Sequence, residues 1–266
     1  MNLIEFAKEN MLVLDGAMGT MLQSGYAVRE VHLAYLEAGA NVILTNTFHN
    51  PSNADITAAV QLARDVATGF AAFVVLDIAP SAQLLEPLGD LTLENAYADF
   101  KRQVLAGAAA GVDAIYIETM TDLGVAECAV RAAKENCELP IFCTMSFEAN
   151  MHTFMGTDIP TMASRLTALG VDFLGINCSV GPGEMKKMAA ELMKWTHLPI
   201  IIKPNAGLPR FEGGKAVYDV TSEDFAAEMA EIADMGVAGM GGCCGTRPEF
   251  IRKLSVIAKA RSEHTI

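Results

Sequence analysis

The feature that most constrains the fold is a regular alternation of short apolar runs with longer segments of helical spacing. The short runs are rich in β-branched residues and predict strands at residues 11–14, 42–45, 73–78, 114–118, 141–147, 173–177, 200–203 and 237–240. The longer segments predict helices, for example at residues 94–110, 123–136, 184–195, 222–235 and 248–260. Glycine recurs where such a helix would end, as in Ala110-Gly111-Val112-Asp113. One βα unit is therefore repeated along the chain.

Eight βα units in a chain of 266 residues predict an α/β fold of the (β/α)8 TIM barrel type, with parallel strands. A doubly wound open sheet is the alternative. No Gly-x-Gly-x-x-Gly follows the first predicted strand, so the sequence gives that alternative no dinucleotide-binding motif. No linker or low-complexity segment divides the chain, and we expect residues 1–266 to form a single barrel domain.

Composition and charge argue against several kinds of partner. Hydrophobic residues make up 52% of the chain, which is ample for a buried core, and no apolar run reaches the roughly 18 residues of a membrane span. A formal charge of −13 repels nucleic acids and anionic membrane surfaces, so we expect neither as a partner. The first residues lack the pattern of a signal peptide, and we expect a cytoplasmic protein with reduced thiols.

Three cysteines follow two of the predicted strands: Cys178 in Gly175-Ile176-Asn177-Cys178, and Cys243 with Cys244 in Gly241-Gly242-Cys243-Cys244-Gly245. These strands are the sixth and the eighth. They lie one strand apart around a barrel, so their thiols can reach one metal ion at the face where active sites of this fold lie. Three thiolates fill three corners of a zinc tetrahedron and leave the fourth open, as in a catalytic site.

The paired glycines before Cys243 are expected to supply the unusual backbone dihedrals that let neighbouring cysteines face one ion. The alternative is that adjacent cysteines are merely small buried hydrophobic residues. We interpret the remaining three cysteines as packing residues: Cys128, Cys137 and Cys143.

Other predicted strands also end in polar residues, among them Asp15, Thr45, Asp77, Glu118, Ser146, Lys203 and Asn205. Polar residues at strand ends commonly cap the next helix. Asp77 and Ser146 are therefore interpreted first as helix caps.

Together these motifs resemble the zinc-dependent homocysteine S-methyltransferases, which include the homocysteine-binding module of cobalamin-dependent methionine synthase and betaine-homocysteine methyltransferase. The resemblance covers nearly the whole chain. It is carried by Leu14-Asp15-Gly16-Ala17-Met18-Gly19-Thr20, Ala38-Gly39-Ala40-Asn41, Thr45-Asn46-Thr47-Phe48, Glu118-Thr119, Lys203-Pro204-Asn205-Ala206-Gly207 and the two cysteine motifs. The Asn177-Cys178 and Pro204-Asn205-Ala206-Gly207 segments are closer to the methionine synthase module.

The resemblance implies that Cys178, Cys243 and Cys244 hold zinc, with the amide oxygen of Asn205 as a fourth ligand until substrate displaces it. It also implies that Glu118 binds the ammonium group of homocysteine.

The amino-acid end of the substrate would be positioned by Asp15 and by backbone amides around Gly16, Ala17 and Thr45. The implied reaction is methyl transfer to the thiol of homocysteine, giving methionine. The leading candidate donor is methylcobalamin on a corrinoid-carrying partner protein or domain.

Several alternatives remain open. S-methylmethionine, betaine or another small molecule is a different donor, and a zinc-binding barrel without catalysis is a further alternative. A phosphate-binding barrel is a rival from another class, but the Gly241-Gly242 turn has no lysine or arginine and the cysteines would be unexplained.

The chain also departs from the family pattern, because the loops after the first and second strands are shorter than family members usually have, near residues 23–28 and 49–54. Shorter loops would expose homocysteine, alter substrate choice or abolish turnover.

Overall fold

A computed structural model describes residues 2–49, 51–213 and 215–262 of the chain. Its centre is a ring of eight parallel strands, in the order β1-β10-β7-β6-β5-β4-β3-β2. They are β1 Leu12–Val13, β2 Val42–Leu44, β3 Phe73–Ile78, β4 Ala114–Met120, β5 Ile141–Met145, β6 Phe173–Asn177, β7 Ile200–Lys203 and β10 Gly239–Met240. A parallel bridge between Leu14 and Val42 joins β1 to β2. The predicted (β/α)8 barrel is thereby confirmed.

Helices surround the barrel and connect its strands. They are α1 Leu3–Glu9, α2 Met18–Gln23, α3 Val28–Glu37, α4 Asn53–Ala67, α5 Leu93–Ala110, α6 Leu123–Asn136, α7 Ile159–Ala168, α8 Pro182–Leu192, α9 Ser222–Asp234 and α10 Pro248–Ser262. Helix α5 ends as predicted, at Gly111, whose φ of 91° lies in the left-handed region that glycine tolerates. Helix α9 follows Thr221, whose side chain caps it by accepting a hydrogen bond from the amide of Asp224.

Successive side chains of each strand point to opposite faces, so the strands border two hydrophobic cores. The larger core fills the space between the strands and the helices. The smaller core lies inside the barrel, and its buried members are Leu3, Leu12, Leu14, Val42, Leu44, Val75, Ala114, Tyr116, Phe142, Phe173 and Ile201. Stacked rings of Phe142 and Phe173, 4.1 Å apart, occupy its middle. The barrel interior is thus a packed core below the carboxyl ends of the strands.

The same alternation continues toward the carboxyl ends of the strands, where the inward-facing residues are polar. Asp77 follows Val75 by two residues on β3, Glu118 follows Tyr116 on β4, and Lys203 follows Ile201 on β7. Successive side chains of a strand point to opposite faces, so these three charged residues lie in the layer above the inner apolar core. The fold therefore collects charged side chains at the carboxyl ends of the strands.

The structure differs from the sequence prediction mainly at strand ends and in one loop. Strands β1 and β10 have two residues each, shorter than predicted. The loop after β7 contains an unpredicted antiparallel hairpin, formed by β8 Arg210–Glu212 and β9 Lys215–Val217. None of the helices in the described ranges is long and apolar enough to cross a membrane.

Candidate metal centre

The sulfur atoms of Cys178, Cys243 and Cys244 lie within 4.8 Å of one another, and all three residues are partly buried. Cys178 follows directly after β6, and the other two follow β10 after two glycines. Strands β6 and β10 both pair with β7, which lies between them. The thiols of Cys178 and Cys243, 65 residues apart in sequence, thus meet at the carboxyl ends of the two strands that flank β7, together with the thiol of Cys244.

Backbone hydrogen bonds hold the cysteine loops in place. The amide of Cys178 donates to the carbonyl of Lys203 at 3.0 Å, and the amide of Cys243 donates to the carbonyl of Pro204 at 2.8 Å. The carbonyl of Cys244 accepts from the amide of Ala206 at 2.9 Å. All three cysteines are therefore tied to the segment after β7, and protein contacts alone bring the sulfurs together.

The glycines near the cysteines act differently from the prediction. Gly241 and Gly242 are not among the described residues with positive φ, whereas Cys178 and Ser179 are, at 64° and 58°. A Cβ on Gly242 would lie 2.3 Å from Oγ1 of Thr246, and one on Gly241 would lie 2.8 Å from Cβ of Leu14. These glycines are required for close approach to neighbouring segments. The strained dihedrals belong to the loop after β6.

Hydrogen bonds among the three thiols shift their pKa values in different directions. Bonds from Cys178 and Cys243 lower the pKa of Cys244 to about 3. The pKa of Cys243 is raised by its bonds to the other two sulfurs and by burial. For Cys178, the bond with Cys243 lowers the pKa, but the bond to Cys244 and burial outweigh it and the pKa rises to about 12. Three sulfur atoms held this close together fit a soft divalent cation. Such a cation binds the thiols as thiolates and releases their protons.

Asn205 adds an oxygen donor near these loops. Its amide nitrogen in the backbone donates to the carbonyl of Val180 at 3.0 Å, which ties the segment after β7 to the loop that carries Cys178. Its side-chain Oδ1 is buried and has no hydrogen-bond partner among the residues described. Three thiols and a free amide oxygen are a donor set that fits zinc.

Tyr218 lies beside the cysteines and was not found by sequence reasoning. A hydrogen bond from its hydroxyl group helps to lower the pKa of Cys244. Burial, followed by the charge of Cys244, raises the pKa of Tyr218 itself. A Cβ on Gly245, whose φ is 81°, would lie 2.2 Å from Cγ of the tyrosine ring. No motif in the sequence connects this tyrosine, which follows the unpredicted hairpin, to the cysteines.

Asp15 and Glu118, the two carboxylates expected to contact substrate, meet around Lys203. Its Nζ lies 3.3 Å from Oε2 of Glu118 and 3.6 Å from Oδ1 of Asp15, and at most 9% of any of these side chains is exposed. The same Nζ lies 5.2 Å from the centre of the Tyr116 ring. The two carboxylates therefore lie close together, and the ammonium group of Lys203 contacts both of them.

Asp15 also fixes the neighbouring strand. Its Oδ2 accepts a hydrogen bond from the amide of Leu44 at 2.8 Å, while Oδ1 has no hydrogen-bond partner in the described part of the chain. Burial raises the pKa of Asp15 to about 6, and the charge of Lys203 partly opposes the rise.

The backbone amides predicted to contact substrate differ in their availability. The amide of Ala17 donates to Oγ1 of Thr246 at 3.2 Å, and the amide of Thr45 donates to the carbonyl of Val75 at 3.0 Å. The amide of Gly16 has no hydrogen-bond partner within residues 2–49, 51–213 and 215–262. A Cβ on Gly16 would lie 2.8 Å from the hydroxyl oxygen of Tyr35, so only glycine fits there.

The helix-cap interpretation of Asp77 is wrong. The next helix, α5, begins at Thr92, whose side chain accepts from the amide of Asn95. Asp77 is instead buried in the charged layer, where its Oδ1 has no hydrogen-bond partner among the described residues. Burial, followed by the charge of Glu118, raises its pKa well above the usual range. The missed signal was a charged residue at the inward-facing position of an apolar strand.

The same correction applies to Ser146. Helix α7 begins at Asp158, whose side chain accepts from the amide of Thr161. The hydroxyl groups of Ser146 and Ser179 are instead hydrogen-bonded at 2.5 Å, which joins the loop after β5 to the strained loop that carries Cys178. The packing cysteines lie where predicted, at α6, at its end and on β5.

The sequence model of the family described as homocysteine S-methyltransferase matches residues 12–258. The chain belongs to the homocysteine S-methyltransferase family. Two methionine synthases, from Mycobacterium leprae and Mycobacterium tuberculosis, are each 28% identical to this family member and cover 100% and 96% of it. The chain spans 26% and 25% of their respective lengths, about a quarter of each.

Among solved structures, the metallated form of the homocysteine methyltransferase MmuM from Escherichia coli is similar in fold. The TM-score is 0.78 at 22% identity, and the match covers 96% of this chain and 98% of that one. The apo form of the same protein gives a TM-score of 0.77 at 23% identity. These likenesses establish the shared barrel.

The family comparison also bears on chain length. The alignment with the Mycobacterium leprae relative extends over 313 positions, although this chain has 266 residues, so the relative has residues without a counterpart here. In this structure only residues 24–27 separate α2 from α3 after β1, and α4 begins at Asn53, nine residues after β2 ends.

Proposed function

We propose that this chain transfers a methyl group to the thiol of homocysteine, giving methionine, at a zinc ion held by Cys178, Cys243 and Cys244. The observation that carries the proposal is the convergence of these three sulfurs within 4.8 Å in a chain of the homocysteine S-methyltransferase family. A metal site at the carboxyl ends of the strands is also where enzymes of this fold place their chemistry.

The zinc site leaves one position for an oxygen or sulfur donor, and Oδ1 of Asn205 is our candidate until substrate arrives. When bound, zinc supplies the Lewis acidity that keeps a thiol ionised at neutral pH, since a free thiol has a pKa of about 8.5. The backbone bonds from the segment after β7 hold the sulfurs in position before the ion binds. Little rearrangement is then required for metal binding.

The buried carboxylates are the proposed site of the substrate's amino group. Asp15 and Glu118 lie in one charged layer, and a buried carboxylate facing an ammonium group makes a strong charge-assisted contact. The amide of Gly16, with Ala17 and Thr45 beside it, is the proposed contact for the substrate's carboxylate. Holding the amino and carboxylate groups of the α-carbon fixes the position of the thiol, at the other end of the substrate, relative to the three cysteines.

For the donor, we propose methylcobalamin carried by a corrinoid-binding partner protein or domain. Two relatives are named methionine synthases and are about four times as long as this chain, which supports a donor held outside the barrel. The short connections after β1 and β2 support a wide mouth that admits a bulky donor. A small donor such as S-methylmethionine or betaine is the second candidate.

The proposal also concerns the cellular compartment. All six cysteines are free, and the zinc site requires reduced thiols, so we place the protein in the cytoplasm.

The decisive experiment supplies zinc-loaded protein with homocysteine and one donor at a time, and measures methionine. Methylcobalamin or a methylcorrinoid protein should support methionine formation, and betaine and S-methylmethionine should give little. A Cys178→Ser variant is the matched control, because it removes one ligand and leaves the barrel intact. Turnover with a small donor and none with methylcobalamin would reverse the ranking of donors. Failure with every donor would favour a zinc-binding barrel without catalysis.

A further inference from the structure

Asn177 is the last residue of β6 and directly precedes the first cysteine of the metal centre. It follows Phe173 by four residues, so its side chain points into the barrel as the ring of Phe173 does. The residue is fully buried. A buried carboxamide requires acceptors for its two N–H groups and donors for the two lone pairs of its oxygen.

Three neighbouring residues meet all four of these requirements. Oδ1 of Asn177 accepts from the amide of Thr119 at 2.9 Å and from Oγ1 of Thr144 at 2.7 Å. Its Nδ2 donates to Oγ1 of Thr119 at 2.7 Å and to Sγ of Cys243 at 4.0 Å. The side chain therefore connects β6 with β4, with β5 and with the cysteine loop after β10.

The backbone fixes the direction of these bonds. The amide of Thr119 can only donate, so the carboxamide oxygen of Asn177 must face it, and a flipped side chain would place two donors against each other. Nδ2 consequently faces the sulfur of Cys243. The bond to the sulfur is long, but a metal-bound thiolate carries negative charge and is a stronger acceptor than a neutral thiol.

Asn177 also joins two segments with strained backbones. Thr119 has a φ of 59°, and Cys178 has a φ of 64°. The pairing of β4 with β5 shifts register between Ile117 and Met120, on either side of Thr119. Such conformations persist where surrounding contacts hold them, and they concentrate at functional sites. Two hydrogen bonds to Thr119 and the peptide bond to Cys178 make Asn177 the connection between the strained segments.

We propose that Asn177 is a positioning residue of the metal centre, whose carboxamide donates a hydrogen bond to the sulfur of Cys243 and fixes that sulfur relative to Cys178. This inference rests on the zinc site of the proposed function and adds a residue to which that proposal gives no role. Asn177 acts through Cys243 and is not itself a metal ligand. A group that hydrogen-bonds to a metal ligand orients the ligand and strengthens metal binding.

The test observes the side-chain amide of Asn177 by NMR in ¹⁵N-labelled wild-type protein, before and after loading with ¹¹³Cd²⁺, which replaces zinc at thiolate sites. The two Nδ2 protons have different partners, Cys243 and Thr119. The proton that faces the sulfur should move downfield on loading and show a through-bond coupling to the metal. The proton bonded to Thr119 should move little. Asn136, whose Nδ2 donates to the hydroxyl group of Tyr97, is the control and should keep both resonances.

Variants give a second measurement. Asn177→Ala removes the donor, and Thr144→Val is its matched control, because it removes a bond to the same carboxamide at Oδ1 and leaves Nδ2 unchanged. In competition with a chelator, Asn177→Ala should bind zinc about 10–100-fold more weakly than wild type, and Thr144→Val should stay within about threefold. With Co²⁺ in place of zinc, the sulfur-to-cobalt charge-transfer band should move to lower energy in Asn177→Ala alone, because the thiolate loses a hydrogen bond.

The outcomes separate this inference from the proposed function. If wild-type protein binds neither zinc nor cadmium, both are overturned. If it binds the metal through its cysteines but the two Nδ2 protons of Asn177 stay unchanged or move equally, only the inference is overturned. Equal losses of zinc affinity in Asn177→Ala and Thr144→Val would also overturn it. The wild-type spectrum gives its answer even where Asn177→Ala does not fold.

Discussion

Replacing Lys203 with methionine tests whether the charged layer depends on its internal cation. Methionine keeps much of the apolar stem of the side chain and removes the ammonium group that lies 3.3 Å from Glu118, 3.6 Å from Asp15 and 5.2 Å from the centre of the Tyr116 ring. The side chain of Lys203 is 3% exposed, so water cannot replace the lost ammonium group. The variant therefore isolates the electrostatic contribution.

The expected loss is large because the pair is buried. Removing one partner of a buried ion pair costs about 3–5 kcal/mol, since the other charge stays desolvated. In the double variant Lys203→Met/Glu118→Gln one of the stranded charges is also removed. Its destabilisation should be smaller than the sum of the two single changes by about 1 kcal/mol or more, within the usual coupling for contacting groups.

The assay is urea unfolding followed by far-ultraviolet circular dichroism at one fixed zinc concentration. Lys186→Met is the matched control: Lys186 contacts Glu231 at 2.5 Å, but both side chains are exposed, so its removal should leave the unfolding midpoint unchanged. If Lys203→Met unfolds within about 0.5 kcal/mol of wild type, or if the double variant shows additive losses, the buried pair does not support the site and the reasoning is refuted.

Three further predictions concern other parts of the molecule. Cys243→Ala should abolish stoichiometric zinc binding, measured by metal analysis, and leave circular dichroism unchanged, because backbone bonds hold the loop. Gly245→Ala should lower stability by about 1–2 kcal/mol or more, measured by urea unfolding, since φ is 81° and a Cβ would meet Tyr218. Burial lowers the pKa of His32 to about 4, below its unfolded value of about 6.5. Its contribution to stability is therefore complete above about pH 6.5 and decreases as pH falls toward 4, by about 3 kcal/mol in total. In His32→Leu the free energy of unfolding should depend less on pH over that range. An unchanged pH dependence would contradict the lowered pKa of His32.

The sequence was sufficient for the barrel because its signals are local. Apolar runs set the strands, and residues such as Gly111 and Thr221 end or begin helices through contacts with their own neighbours. The convergence of the cysteines also follows, because strand order in a parallel barrel is fixed by chain order. These inferences require no knowledge of side-chain packing.

What the sequence left out depends on contacts between distant segments. Tyr218 reaches Cys244 only through an irregular loop and a hairpin. Lys203 on β7 and Glu118 on β4 are separated by two barrel strands, β6 and β5, and nothing in the local sequence of either residue indicates that they pair. Gly242 was assigned an unusual dihedral, but its requirement is the space taken by Thr246, which only the folded loop reveals.

The hydrogen bonds between the first and last strands have a consequence for how the metal site forms during folding. The amide of Gly242 donates to the carbonyl of Asp15 at 3.0 Å, and Oγ1 of Thr246 accepts from the amide of Ala17 while donating to the carbonyl of Cys243. A nascent chain that ends before β10 contains one of the three zinc-binding sulfurs and lacks the hydrogen bonds that join the first strand to the last. High-affinity zinc uptake should therefore occur only after the ring closes, and time-resolved metal binding would report the last step of assembly of this barrel.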